Sequence, residues 1–247
     1  MNITLLTYDL IDSTNTEALK QARLGADEGL CIVARQQTAG RGRQARIWVS
    51  EKDAGLYFSI VLRPTVETKF LPLITLMAGV AVHDTLREFG IKPDIKWVND
   101  VHVNGKKISG ILAETTETDT GLAVIVGVGI NIRASNYPPE IADIATSIES
   151  ETGTAVSIEE LAEQLGKFIE YFYGVLNEEN GPDAIIREWA KRSTYFSGKH
   201  VRVEQSGHIL TGVTDGLETN GALRLRKTDG TIVMIHAGDV EQLRQTE

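Results

Sequence analysis

The hydrophobic pattern changes character after Ser197, and that change sets what the chain can fold into. Beyond it, "KHVRVEQ", "HILTGVTDGLE", "GALRLRK" and "TIVMIHA" are short runs of alternating apolar and polar residues, separated by Asn220-Gly221 and Asp229-Gly230. Four or five short strands in about 50 residues predict a small β-barrel of its own. The boundary is placed near 195, giving a larger domain over 1–195 and a small β domain over 196–247.

The larger domain mixes two periods. Strands are predicted at 3–8, 29–36, 55–63, 94–98, 101–103, 107–117 and 121–132, with Asn104-Gly105 as a hairpin turn. Helices are predicted at 15–24, 69–89, 157–177 and 183–194. Thr14-x-x-Glu17 fits a capping box for the first of these, and Gly25 stands where it should end. Strands and helices do not alternate regularly. The pattern therefore predicts an α+β domain, a mixed β-sheet with helices packed on it, rather than a doubly wound parallel sheet.

Several function classes are excluded early. The net charge of −9 argues against a general nucleic-acid binder. Cys31 is the single cysteine and lies in the apolar run LCIVA, so no disulfide forms within the chain and a buried strand residue is expected. The N-terminus has no signal-peptide pattern. No run reaches the roughly 18 apolar residues of a membrane span; the longest, 70–82, contains Pro72, Thr75 and Gly79. A cytoplasmic protein without a membrane partner is expected. There is no P-loop, Gly127-x-Gly129 lacks the third glycine of the dinucleotide fingerprint, and the five histidines show no zinc spacing.

Within this acidic chain, "TAGRGRQARIW" (38–48) concentrates Arg41, Arg43 and Arg46 on a segment opened by Gly40 and Gly42 and closed by Trp48. Glycines let a backbone approach a ligand closely, and arginine offers planar paired donors to phosphate or carboxylate. The same composition also suits a solvated surface loop. In "KWVNDVHVNGKKISGILAE" (96–114), Lys96, Asn99 and Asp100 end a strand, and Lys107 opens the next with Gly110 near it. Asp100 suits either Mg²⁺ or a turn cap, and Lys107 either a pocket or the surface. In "GVGIN" (127–131), two strand glycines mark close approach of a backbone or ligand, and Asn131 needs a partner if buried.

Taken together, DSTN (12–15), QTAGRGRQARIW (37–48), KWVND (96–100), KISGIL (107–112) and GVGIN (127–131) resemble the biotin–protein ligases over essentially the whole chain. The resemblance implies a class II synthetase-like catalytic domain of the biotin/lipoate ligase fold with an SH3-like C-terminal domain. It implies that ATP activates biotin to biotinyl-5′-AMP, with Mg²⁺. Biotin then passes to a lysine of a biotin carboxyl carrier protein of a biotin-dependent carboxylase. By motif, Ser13, Thr14 and Asn15 would line the ureido end of the pocket, and Gln37 would hydrogen-bond biotin. Gly40, Arg41, Gly42 and Arg43 would cover biotin and the adenylate phosphate, with Arg43 holding the intermediate. Arg46 and Trp48 would order the loop around the nucleotide. Lys107 would polarise the biotinyl carboxylate, with Gly110 and Gly127 making room for the biotin chain. Lys96, Asn99, Asp100 and Asn131 would serve ATP and its metal.

Two positions depart from the family pattern: Ala45 stands where glycine is usual, and Val98 where proline is usual. Some members carry an N-terminal winged helix; none is expected before DSTN, hence no DNA binding. By resemblance the state is a monomer or a side-by-side homodimer. The alternatives are a lipoate/octanoate–protein ligase of the same fold and a non-catalytic biotin or nucleotide sensor. An RNA-binding reading is disfavoured by the acidic charge.

Overall fold

The GVGIN segment lies in the middle of a seven-stranded sheet. The computed structural model describes residues 1–134, 137–154, 156–205 and 207–242. In chain order the elements are β1 (Thr4–Tyr8), α1 (Thr14–Arg23), β2 (Leu30–Ala34), β3 (Gly55–Leu62), α2 (Leu73–Glu88), β4 (Asp94–Lys96) and β5 (Asp100–Val103). After these come β6 (Lys106–Thr118), β7 (Gly121–Asn131), α3 (Pro139–Ala142), α4 (Ile148–Thr152), α5 (Ile158–Leu176) and α6 (Gly181–Ala190). The large sheet has the order β1-β2-β3-β7-β6-β5-β4, parallel only between β1 and β2. It is the mixed sheet that the sequence predicts. The two short helices α3 and α4 have no counterpart in the sequence pattern; four or five residues leave no room for a helical period to show.

Alternation along the strands divides the sheet into two faces. Phe58, Ile60, Leu62, Val124, Val126, Val128 and Ile130 face one way into the main core with Leu76, Met77, Val80 and Leu161 of α2 and α5. Ile32, Val61, Ala123 and Ile125 face the other way, under Ala18 and Ala22 of α1. Because α1 is only ten residues long, it covers one end of that second face. The other end is left as the floor of a cavity.

The C-terminal domain is a five-stranded antiparallel sheet of the SH3-like type. Its strands are β8 (Ser197–Gln205), β9 (His208–Leu217), β10 (Leu223–Arg226), β11 (Ile232–Ile235) and β12 (Asp239–Gln242), in the order β11-β10-β9-β8-β12. It is fastened to the larger domain. The Trp97 indole N–H donates to the Gly221 carbonyl at 3.0 Å, and Val201, Val203 and Leu223 belong to the same apolar core as α2. No helix among the described residues is long and apolar enough to cross a membrane.

One local expectation is corrected. Ser13, not Thr14, is the N-cap of α1, its side chain makes no cap bond, and Thr14 is already helical. The capping box fails because the Thr14 hydroxyl is engaged elsewhere, 3.2 Å from Gln37 Oε1 and 2.8 Å from Ser59 Oγ. Ser13 and Thr14 are both buried at the cavity.

Candidate functional site

The cavity has a volume of about 660 Å³. Its floor is made by the strand register. Tyr57, Gly129 and Gly110 lie side by side in one row across β3, β7 and β6; Ser59, Gly127 and Leu112 form the next. The period of two that sends Val128 and Ile130 into the core brings Gly127, Gly129 and Asn131 to the cavity face. A methyl group on Gly129 would come within 2.3 Å of the Trp48 ring, and one on Gly127 within 2.0 Å of Asn15 Oδ1. These glycines are needed for close approach.

One end of the cavity is polar. The backbone N–H of Thr14 donates to Gln37 Oε1 at 2.8 Å, and Gln37 Nε2 donates to Ser50 Oγ at 2.8 Å. Asn15 Oδ1 lies 2.6 Å from Ser59 Oγ, and Asn15 Nδ2 donates to Leu112 O and Glu114 Oε2. Ser13, Thr14 and Asn15 are each at most 4% exposed. Thr14, Asn15 and Gln37, held on several sides, present fixed donors and acceptors to whatever enters.

The arginine segment closes over the other side. Arg41 grips Glu114 through both terminal nitrogens, at 2.9 and 2.7 Å. Arg43 Nη1 donates to Asn99 Oδ1 at 2.8 Å, while Asn99 Nδ2 donates to Ile111 O at 2.9 Å. Arg46 pairs with Asp239 of the C-terminal domain. Gln44 and Ala45 adopt the left-handed conformation, φ 54° and 58°. That region favours glycine, so Ala45 makes this loop stiffer than a glycine would. Gly40 is the one predicted site residue that does not line the cavity. It packs inside the loop, where a methyl group would sit 2.3 Å from Trp48 O.

The wall facing the loop carries charge. Lys107 Nζ lies 2.6 Å from Asp100 Oδ1 and 5.6 Å from the Trp48 ring centroid. Burial works against the Asp100 charge, but His102 and Lys107 outweigh it and hold its carboxyl well below the ordinary range. That lowered value stabilises the fold above the usual carboxylate range, and the contribution is lost as pH falls through it. Lys96 is pulled below the usual lysine range by burial, with Lys107 adding to it and Asp100 opposing. Asn131 Nδ2 donates to Thr146 O at 2.9 Å. The Trp97–Val98 peptide is cis, and Asn99 and Asp100 line the cavity beyond it.

The structure thus brings every predicted site residue except Gly40 to one cavity. It adds Ser59 and Glu114, which bond the polar end, and Tyr57, Tyr137, Asp239 and Glu241 in the lining, none of which the sequence singled out. Breaking the interdomain tie gives a test. Asp239→Ala is expected to loosen the loop and raise its proteolytic nicking rate severalfold, with the melting temperature changing by only a few degrees, because a partly exposed pair contributes about 1 kcal/mol or less. Equal nicking rates would mean the pair does not hold the loop.

Among the described residues there is no group of three His, Cys, Asp or Glu side chains able to form a metal centre. Asp100 nonetheless fits the single protein carboxylate that a nucleotide-borne Mg²⁺ requires. Its buried Oδ1 meets Lys107 as an ion pair but lacks an aligned hydrogen bond.

Comparison with known proteins agrees with this geometry. Residues 7–131 match the biotin/lipoate A/B protein ligase family, and 196–242 match the biotin protein ligase C-terminal domain. The bifunctional ligase/repressor BirA of Bacillus subtilis is 34% identical over 96% of this chain and 73% of its own length. The biotin–(acetyl-CoA-carboxylase) ligase of Mycobacterium tuberculosis is 32% identical over 94% of this chain and 86% of its own. The biotin protein ligase of Aquifex aeolicus, solved with biotin and ATP, superposes with a TM-score of 0.83 at 30% identity, covering 98% of this chain and 99% of that one. The chain belongs to the biotin/lipoate A/B protein ligase family, as a biotin protein ligase.

Proposed function

We propose that this cavity is where the enzyme activates biotin with ATP and then hands it to a carrier lysine. The observation that carries the reading is one cavity with a polar amide end, a glycine floor and a cationic lid. A biotin carboxylate oxygen attacks the α-phosphorus of ATP, the bond to pyrophosphate breaks, and biotinyl-5′-AMP forms. A lysine amine of the biotin carboxyl carrier protein of a carboxylase then attacks the carbonyl. An amide forms, AMP leaves, and the amine gives up a proton.

The residues divide these tasks. Thr14, Asn15 and Gln37, with Ser13 beside them, match the ureido ring with fixed polar groups. Gly127 and Gly110 let the biotin chain lie on the sheet. Lys107 and Arg43 supply positive charge where two anions must meet, which is where fixed charge lowers a barrier most. Trp48 offers a ring to the adenine, with Asn131 and Lys96 near it. Mg²⁺, held by the nucleotide's phosphates and Asp100, supplies further charge neutralisation when bound. Loop 40–48, pinned by Arg41, Arg43 and Arg46, keeps water from the mixed anhydride until the carrier arrives. The need for ATP and for a carboxylase carrier suits an enzyme of the cytoplasm.

Arg43→Gly is expected to remove the bond to Asn99 and release biotinyl-adenylate at least tenfold faster, since a bond from a charged donor contributes about 1.5–3 kcal/mol. Lysines of bystander proteins would then be labelled. Streptavidin blotting of a bystander mixed with wild type or variant reads this out; equal labelling removes Arg43 from the lid. Transfer itself is tested by incubating enzyme, ATP, labelled biotin and a biotin carrier domain. Loss of label when the carrier's lysine is changed to arginine is the expected result, and label retained there would contradict the reading.

A further inference from the structure

Glu114 is the one side chain among the described residues that ties an arginine of the loop to the polar end of the cavity by hydrogen bonds. Its Oε2 accepts from Asn15 Nδ2 at 2.8 Å and from Arg41 Nη2 at 2.7 Å, and its Oε1 accepts from Arg41 Nη1 at 2.9 Å. It reaches both because Gly110, Leu112 and Glu114 share the cavity face of β6. In the sequence it sits in the polar run AETTET, which suggests only a solvated strand.

The hydrogen-bonding capacity of Asn15 is almost used up within the protein. Asn15 has two N–H donors, and both are taken, one by Leu112 O and one by Glu114. Its Oδ1 takes Ser59 and keeps one lone pair, against the Gly127 floor. The amide therefore faces the cavity as an acceptor and cannot turn round without leaving the Glu114 carboxylate beside an oxygen. A ligand that fits must offer a hydrogen-bond donor there, as a ureido N–H does. The same carboxylate holds the loop through Arg41.

We propose that Glu114 is a positioning residue that couples the two: it fixes the Asn15 amide as an acceptor for a ureido N–H and latches the loop through Arg41. The assignment rests on the function proposed above. The coupling means that loop closure and recognition of the ureido ring reinforce one another. When Arg41 is docked, Glu114 is held where it orients Asn15. When the loop opens, the carboxylate loses two of its hydrogen bonds.

The test is Glu114→Gln, which keeps size and shape but removes the negative charge and puts an NH₂ donor where one of the two acceptor oxygens meets the N–H groups of Arg41 or Asn15. Biotin-dependent ATP–pyrophosphate exchange and adenylate release are measured for wild type, Glu114→Gln, Arg41→Ala and the double variant. Glu114→Gln is expected to raise KM for biotin roughly tenfold and to speed adenylate release, leaving KM for ATP within about twofold. The double variant should release adenylate no faster than the faster single one, because both substitutions open the same latch. Equal biotin KM and release in wild type and Glu114→Gln would overturn the assignment. So would equal increases in both KM values, which mark a general loosening, or additive release rates in the double variant. Should Glu114→Gln not fold, the Arg41→Ala variant still tests the latch: release at the wild-type rate would overturn it. Absence of exchange in the wild type would instead remove the proposed function, and the Glu114 assignment with it.

Discussion

Lys107→Ala is expected to slow formation of biotinyl-adenylate about 10²- to 10³-fold, the size of effect seen when one pre-oriented group that stabilises transition-state charge is deleted. The ammonium stands at the start of β6 with its backbone fixed on both sides: Lys107 N donates to Ile144 O at 2.7 Å, and Thr146 N donates to Lys107 O at 2.9 Å. Its side chain is then aimed into the cavity by Asp100, 2.6 Å away. A group placed this firmly meets developing charge without reorganising, which is why its loss should appear in kcat rather than in biotin KM alone. Removing it leaves Asp100 with His102 and Lys96, so a small fall in melting temperature accompanies the loss. Lys107→Arg keeps the charge on a differently shaped head and should recover only part of the rate. Pyrophosphate release followed over time checks this; a wild-type rate for Lys107→Ala would exclude it from the chemistry.

Gly127→Ala is expected to raise KM for biotin at least tenfold while the protein stays folded, the cost of a displaced buried amide being roughly 1–3 kcal/mol. The new methyl group would sit 2.0 Å from Asn15 Oδ1 and 2.8 Å from its Cγ. Asn15 cannot give way easily, because Ser59, Leu112 and Glu114 hold it. The clash is therefore resolved by pushing the amide toward the space a ligand needs. Adding Asn15→Ala should restore the melting temperature by removing the clash but not restore biotin binding. A single Gly127→Ala variant with wild-type biotin KM would show that the ligand does not lie on this row of the sheet. Recovery of binding in the double variant would show that Asn15 is not part of its recognition.

Much of this site is legible in the sequence, because its residues stand in short motifs. Lys107, Gly127 and Arg43 are of types that suit the chemistry, and the alternation Gly127, Gly129, Asn131 already implies one shared face. The long elements come from periodicity: α2 and β7 are both expected, and both are described over nearly the same residues. Other features arise only when distant segments meet. Glu114 becomes a latch because Asn15 and Arg41, 99 and 73 positions away, converge on it. Asp239 and Glu241 line the cavity because the C-terminal sheet docks through Trp97 and Gly221. No local pattern announces either. The failed capping box has the same origin: Thr14 satisfies helix-cap statistics, but Gln37 and Ser59 claim its hydroxyl once the sheet has formed.

Substrate choice in the first half-reaction is the decisive measurement. ATP–pyrophosphate exchange with Mg²⁺ is run separately with biotin, lipoate, octanoate and no acid. The amide-lined cavity and its cationic lid predict exchange with biotin alone, and its loss in Lys107→Ala. Exchange supported by lipoate or octanoate, or none with biotin, would contradict the assignment of this cavity to biotin activation.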